Sequence, residues 1–277
     1  MLLDKASNLP PAVRFYLFTY MWSWPAWVAL GLTGTPLKGV VPLVVFSFAG
    51  IGPSAVGILL ARREGSGYWA DFKLRVKDPR RISRSGYAWL AGFVPLTSAA
   101  AFGLYALMRG WGAASASLTP YEGTIIGLVP FAAVLMAFGP IPEELGWRGY
   151  AQDVLERTRG WFGASLVVGV GWALWHVPLF FIPGTYQNGL YATSPVLVVD
   201  FGIQFLVLAL VMGWLRARER SSILSAILFH FCINFVGELI GLPPGAMVLR
   251  TAVQAVCVGA IIILSRRRNG ETLICPA

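Results

Sequence analysis

The sequence predicts an all-α, polytopic membrane protein with eight transmembrane helices and both termini on the cytoplasmic side. Three observations predict it. The 277 residues are 56% hydrophobic and only 13% charged, against about 25% charged residues in an ordinary soluble domain. Apolar runs of roughly 20 residues, the length that crosses a bilayer, recur from one end of the chain to the other. The cations between them cluster in alternate connections. Together these describe a single transmembrane domain over residues 1–277, integral and multi-pass in the cell membrane, with the lipid bilayer as its first partner.

The runs lie at about 14–33, 38–61, 87–108, 121–142, 162–182, 196–216, 222–240 and 247–265. The first follows Lys5 and Arg14 and superficially resembles a signal peptide. It is long enough to span and has no clear small-residue cleavage site, so a retained helix is expected. The second and fourth carry Gly/Pro interruptions, GIGP at 50–53 and GPIP at 139–142. Each should kink its helix and free backbone carbonyls.

Orientation follows from the connections. Arg62, Arg63, Lys73, Arg75, Lys77, Arg80, Arg81 and Arg84 fall in 62–86. Arg157 and Arg159 fall in 149–161, RARER occupies 216–220, and Arg266 to Arg268 follow the last run. The other connections hold Lys38 and Arg109, then none in 183–195, and only Arg250 near the last. The cation-rich side is cytoplasmic by the positive-inside rule. The long 62–86 segment reads as a solvated topology anchor within reach of anionic lipid. The net charge of +9 sits in these short clusters and forms no nucleic-acid footprint, so no nucleic-acid partner is expected. Cys232, Cys257 and Cys275 have no metal-like spacing, and neither a disulfide nor cysteine chemistry is expected. Cys275, third from the end, does not make a prenylation terminus.

Polar residues in the apolar runs are few and carry the functional argument, because charge at bilayer depth is costly and is usually kept for a task. Glu143 and Glu144 follow Pro140 and Pro142, which suits the first turn of a new helical segment, where the dipole favours carboxylates. Glu144 and Arg148 share a helix face at i,i+4, and Glu143 is turned about 100° away. Arg148 can therefore hold Glu144 while Glu143 faces a cavity. An interfacial salt bridge with Glu143 in water is the plainer alternative. Both histidines lie in apolar runs: His176 in GWALWHVPLFF, with Pro178 two residues on, and His230 in ILFHFCINF, with Asn234 one turn on. A carboxylate, imidazoles and an amide converging on one cavity can activate a water, stabilise an oxyanion and protonate a leaving amine. No serine sits in a nucleophile elbow.

These residues form three motifs in order. EELGWR fits EExxxR, Trp172-Ala-Leu-Trp-His176 fits FxxxH with Trp for Phe, and His230-Phe-Cys-Ile-Asn234 fits HxxxN. With them the chain resembles the CPBP family of intramembrane proteases, which includes type II CAAX prenyl endopeptidases and bacteriocin-processing, Abi-like enzymes. The motif core covers about 130–236. The resemblance implies an intramembrane endopeptidase with a cytoplasm-facing cavity, acting on a peptide or protein substrate that is membrane-associated or prenylated. Glu143 would activate the water, with Glu144 and Arg148 ordering it. His176 would assist, and His230 and Asn234 would form the oxyanion site. No cofactor is expected. The family's zinc alternative would use Glu143, His176 and His230, but HExxH is missing. Glu143 meets His176 only if the fifth span starts late or tilts, or if the fourth breaks at GPIP and re-enters, and the break is expected.

Two other functions fit parts of the chain. Broken helices with buried charge also mark transporters, and a relative could act as a non-catalytic immunity or scaffold protein. Asp200 and Gln204 read as an i,i+4 pair that bonds between helices. Glu238 and Arg250 read as snorkelling residues near outer ends, and the tryptophans as belt and packing residues.

Overall fold

The computed structural model describes residues 9–120 and 122–269, and 86% of the described residues are helical. Helix α1 (Pro11–Leu32) is followed by α2 (Val40–Gly50) and α3 (Gly52–Arg63). Next come α4 (Ser66–Lys77) and the long α5 (Arg84–Arg109) with the short α6 (Trp111–Ala116). Then α7 (Ile125–Phe138), α8 (Pro140–Gly146), a π-turn at Trp147–Ala151 and α9 (Gln152–Trp175) run head to tail. Helices α10 (Tyr186–Thr193), α11 (Pro195–Arg218), α12 (Ile223–Leu239) and α13 (Pro244–Asn269) complete the bundle. Two-residue strands, β1 (Thr119–Pro120) and β2 (Ile240–Gly241), pair antiparallel at one end. Cys275 and Lys5 lie outside the described residues.

Five helical stretches among the described residues are long and apolar enough to cross a membrane: Val40–Arg63, Arg84–Arg109, Ile125–Phe181, Pro195–Arg218 and Pro244–Ser265. The third doubles back. Gly160 sits at φ 62° and ψ 175° inside α9, a conformation that glycine adopts without a Cβ penalty. It divides α9 into arms at 152–159 and 161–175. The arms are antiparallel: Gln152 Nε2 lies 3.2 Å from Ser165 Oγ, and Trp172 Nε1 lies 2.5 Å from Glu143 Oε2.

This turn corrects the expected span ends. The segment 149–161 is no loop, and helix continues past Glu143 to Gly160. The chain does break at GPIP, where Gly139 adopts φ −115° and ψ −88°. Depth, however, is matched by the turn. Glu143 precedes Gly160 by 17 residues and His176 follows it by 16. At about 1.5 Å per residue the two stand at nearly the same height.

The two Gly/Pro interruptions lock onto each other. Ser54 Oγ donates to the carbonyl of Ile141 at 2.9 Å, which satisfies a backbone group in the broken stretch. Further along, Gly57 and Gly146 let the backbones touch, as small residues do between membrane helices. A Cβ on Gly146 would stand 2.2 Å from the Pro53 carbonyl oxygen, and one on Gly57 would stand 2.7 Å from Gly146 Cα. Gly146→Ala is therefore expected to lower stability by about 1–3 kcal/mol through overpacking, read as thermal unfolding in detergent. Gly103→Ala, where a Cβ meets nothing within 4 Å, is the control and should not destabilise.

Helix α1 lies along the second arm of α9 in parallel. Tyr16, Tyr20 and Trp24, spaced four apart, donate to the carbonyls of Val167, Gly171 and Trp175 at 3.1, 2.7 and 3.2 Å. The start of α1 thus shares an end of the bundle with Gly160. The cation-rich segments gather there too. Asp153 accepts from Arg75 at 2.7 Å, Arg216 at 2.6 Å and the Tyr68 hydroxyl at 2.8 Å, and Arg216 also pairs with Glu156. Burial first, then the Asp153 charge, pushes the Tyr68 phenol up to about 12, so it remains a neutral donor. Arg157 reaches Glu64 at 3.3 Å, and Glu219 accepts from the Ser83 backbone at 2.6 Å. The 62–86 segment keeps Arg62, Arg63, Lys73, Lys77, Arg80 and Arg84 exposed, as a solvated anchor does, but its α4 also docks on the bundle through Arg75, which is 2% exposed and bound to Asp153. The opposite end carries the β1–β2 pair and a bond from Leu37 N to Pro183 O of 3.1 Å.

Candidate active site

Glu143 falls in the first turn of α8, directly after two prolines. Proline lacks an N–H that the first turn would leave unpaired, so the pattern PIPEE starts a helix and sets carboxylates at its positive end. The π-turn then carries Trp147, Arg148, Gly149, Tyr150 and Ala151, all buried. Glu144 and Arg148 are 0% exposed, with Arg148 Nη1 3.0 Å from Glu144 Oε1. The same carboxylate oxygen lies 2.8 Å from His230 Nδ1. Glu144 therefore ties two helices together beneath the cavity.

His176 directly follows α9. Val177 precedes Pro178, which disfavours further α-helix, and the chain passes into a tighter 3₁₀ turn at Val177–Phe181. Pro178 thus marks a helix end. His176 Nδ1 is 2.8 Å from the Trp172 carbonyl. A carbonyl only accepts, so Nδ1 carries the hydrogen and Nε2 holds a lone pair in the neutral ring. By the same logic His230 Nδ1 donates to Glu144 and its Nε2 is left for another partner.

Trp172 does more than the aromatic wall expected of it. Its indole N–H donates to Glu143 Oε2, its carbonyl holds His176, and its ring lies under Arg148 with Cζ 4.2 Å from the centroid. The ring is also 5.2 Å from that of His230. The clue in the sequence was the Trp-for-Phe change itself, since tryptophan brings a donor that must be satisfied when buried.

Glu143, His176, His230 and Asn234 all line one cavity of about 500 Å³. Their convergence comes from α8, the end of α9 and α12. Asn234 Nδ2 would lie 3.1 Å from a Cβ on Gly139, so the break residue is small where the amide passes. Gln204, Glu238 and Arg250 line the same cavity. No bond joins Asp200 to Gln204 among the described residues. Asp200 lies beside Thr251 on α13, whose hydroxyl donates to the Met247 carbonyl at 3.4 Å. Arg250, expected to snorkel outward, is 8% exposed and turned inward. Among the described residues no three His, Cys, Asp or Glu side chains group closely enough to hold an ion.

The cavity reaches Tyr186, Gln187, Ile240 and Gly241, residues at the β1–β2 end. Its lining therefore extends toward the end opposite the cation clusters.

Residues 125–236 match the family described as type II CAAX prenyl endopeptidase Rce1-like. Over this segment the chain is similar to that family. The Rce1-like segment contains all six motif residues and begins at the first residue of α7. A protein described as CAAX prenyl protease 2 from Methanococcus maripaludis is 36% identical over 131 residues, 47% of this chain and 48% of that protein. The match therefore spans about half the length of the curated relative. Helices α1 to α5 lie outside the Rce1-like segment, yet α1 and α3 brace it through the tyrosine–tryptophan ladder and the Gly57–Gly146 contact.

Proposed function

We propose that this chain is an intramembrane endopeptidase of eight spans that hydrolyses a peptide bond with a glutamate-activated water. One observation carries the reading: an acid, two imidazoles and a carboxamide from three helices line a single cavity and are cross-braced by Trp172 and Glu144. Glu143 takes a proton from water as the oxygen attacks the substrate carbonyl. His176 Nε2 accepts the water's second hydrogen bond and orients it. His230, held by Glu144, and Asn234 donate to the oxyanion. Collapse of the intermediate passes the proton from Glu143 to the leaving amine. Arg148 holds Glu144 in place. The transporter reading loses its main support, because GIGP and GPIP are engaged with each other at α3 and α8.

The substrate is a peptide or a membrane-associated protein, and the name of the archaeal relative supports a prenylated one. The test is cleavage of peptides by purified protein with and without a strong chelator. Activity that survives chelation supports the water-and-glutamate mechanism. Loss on chelation, restored by zinc, would replace it with a metal mechanism, and absence of any cleavage would favour a scaffold or immunity role.

Eight spans put both ends of the described chain at the cation-rich end. In a background lacking Cys232, Cys257 and Cys275, Gln187→Cys on the cavity lining and Lys73→Cys on α4 are expected to react with an impermeant maleimide from opposite sides of the membrane. Labelling of both from one side would break the eight-span arrangement. Labelling of Gln187→Cys from outside intact cells would keep the positive-inside orientation, and labelling only after permeabilisation would put the cavity in the cytoplasm.

A further inference from the structure

Arg250 is on α13, outside the Rce1-like segment, yet lines the same cavity as Glu143 and both histidines. It is more than nine-tenths buried, and its Nε has no hydrogen-bond partner. No carboxylate among the described residues forms an ion pair with it. Tyr186 and Asp200 lie close enough to act on its charge. Glu238, on α12, also lines the cavity but does not pair with it. A desolvated guanidinium left unpaired is costly unless an anion completes it. Its planar five-donor fork matches a carboxylate, which it can hold by two parallel bonds.

We propose that Arg250 binds a carboxylate of the peptide substrate and so sets the cleaved bond at a fixed distance from that anion. This rests on the endopeptidase reading. A cavity of about 500 Å³ is within the roughly 300–1,000 Å³ of small-ligand sites, so it takes a short peptide stretch with the anion near one end. The carboxylate is either the chain terminus or an acidic side chain, and both present the same fork of oxygens.

The experiment uses purified full-length protein and synthetic decapeptide pools read by mass spectrometry. Matched pools differ only in ending as a carboxylate or a carboxamide, or in carrying Asp/Glu or Asn/Gln. Wild type is expected to cleave carboxylate-bearing peptides with kcat/KM higher by about tenfold or more, the scale of a charged hydrogen bond. The arm that loses rate identifies the source. In Arg250→Gln, cleavage of the preferred pool should fall to the rate of its neutral match, and Arg250→Lys should keep part of the preference. Equal cleavage of the matched pools by wild type, or a preference that persists in Arg250→Gln, would overturn the assignment and leave the endopeptidase reading standing. Cleavage of no pool by wild type would overturn both. The wild-type comparison needs no variant, so it decides the matter even where Arg250→Gln does not fold.

Discussion

Replacing Glu143 by glutamine is expected to reduce peptide cleavage by about 10²–10⁴-fold, the usual contribution of a positioned general base. The amide keeps the shape and can still accept the Trp172 indole N–H that now ends on Glu143 Oε2. It cannot take a proton from water. The fold should therefore survive, and unfolding in detergent should match wild type within about 1 kcal/mol, the range of a volume-conserving swap. The measurement is a cleavage assay beside a thermal melt. Full activity in Glu143→Gln would remove Glu143 from the chemistry. Loss of activity together with loss of folding would demote it to a structural acid.

Arg148→Ala should have the largest effect on stability, about 3–5 kcal/mol. Arg148 and Glu144 are fully buried, so truncation leaves a carboxylate without its main counter-charge and a void above the Trp172 ring. His230 shares Glu144 Oε1 and offers only partial relief. A double variant, Glu144→Leu with Arg148→Met, removes both charges and fills the space. It should recover most of the stability, as apolar replacements of buried pairs often do. It should not recover cleavage, because His230 then has no anchor. Thermal unfolding of the three proteins beside the cleavage assay checks this. An Arg148→Ala protein as stable as wild type would mean that the pair is solvated after all.

Much of the architecture was legible because it is local. Residues four apart share a helix face whatever surrounds them, so the Glu144–Arg148 pair and the helix start at PIPEE follow from spacing alone. The two interruptions were legible as breaks for the same reason, since proline lacks an N–H and glycine accepts unusual angles. Their mutual contact was not, because nothing in GIGP says which carbonyl Ser54 will meet. Depth was misjudged for a related reason. An apolar run ends where charge begins, and the counting stopped at Glu143, whereas the helix itself continued through a buried π-turn to Gly160.

The chain by itself determined the all-α class, the apolar helices, the cation clusters and the identity of the six motif residues, because composition and periodicity act along one segment at a time. Only the tertiary structure decided that Gly160 brings Glu143 and His176 level, that Trp172 reaches Glu143, that Arg75 is buried, and that Arg250 lines the cavity. Each of these depends on the distance between segments far apart in sequence. Such distances are set by how the helices pack, and no single segment carries them.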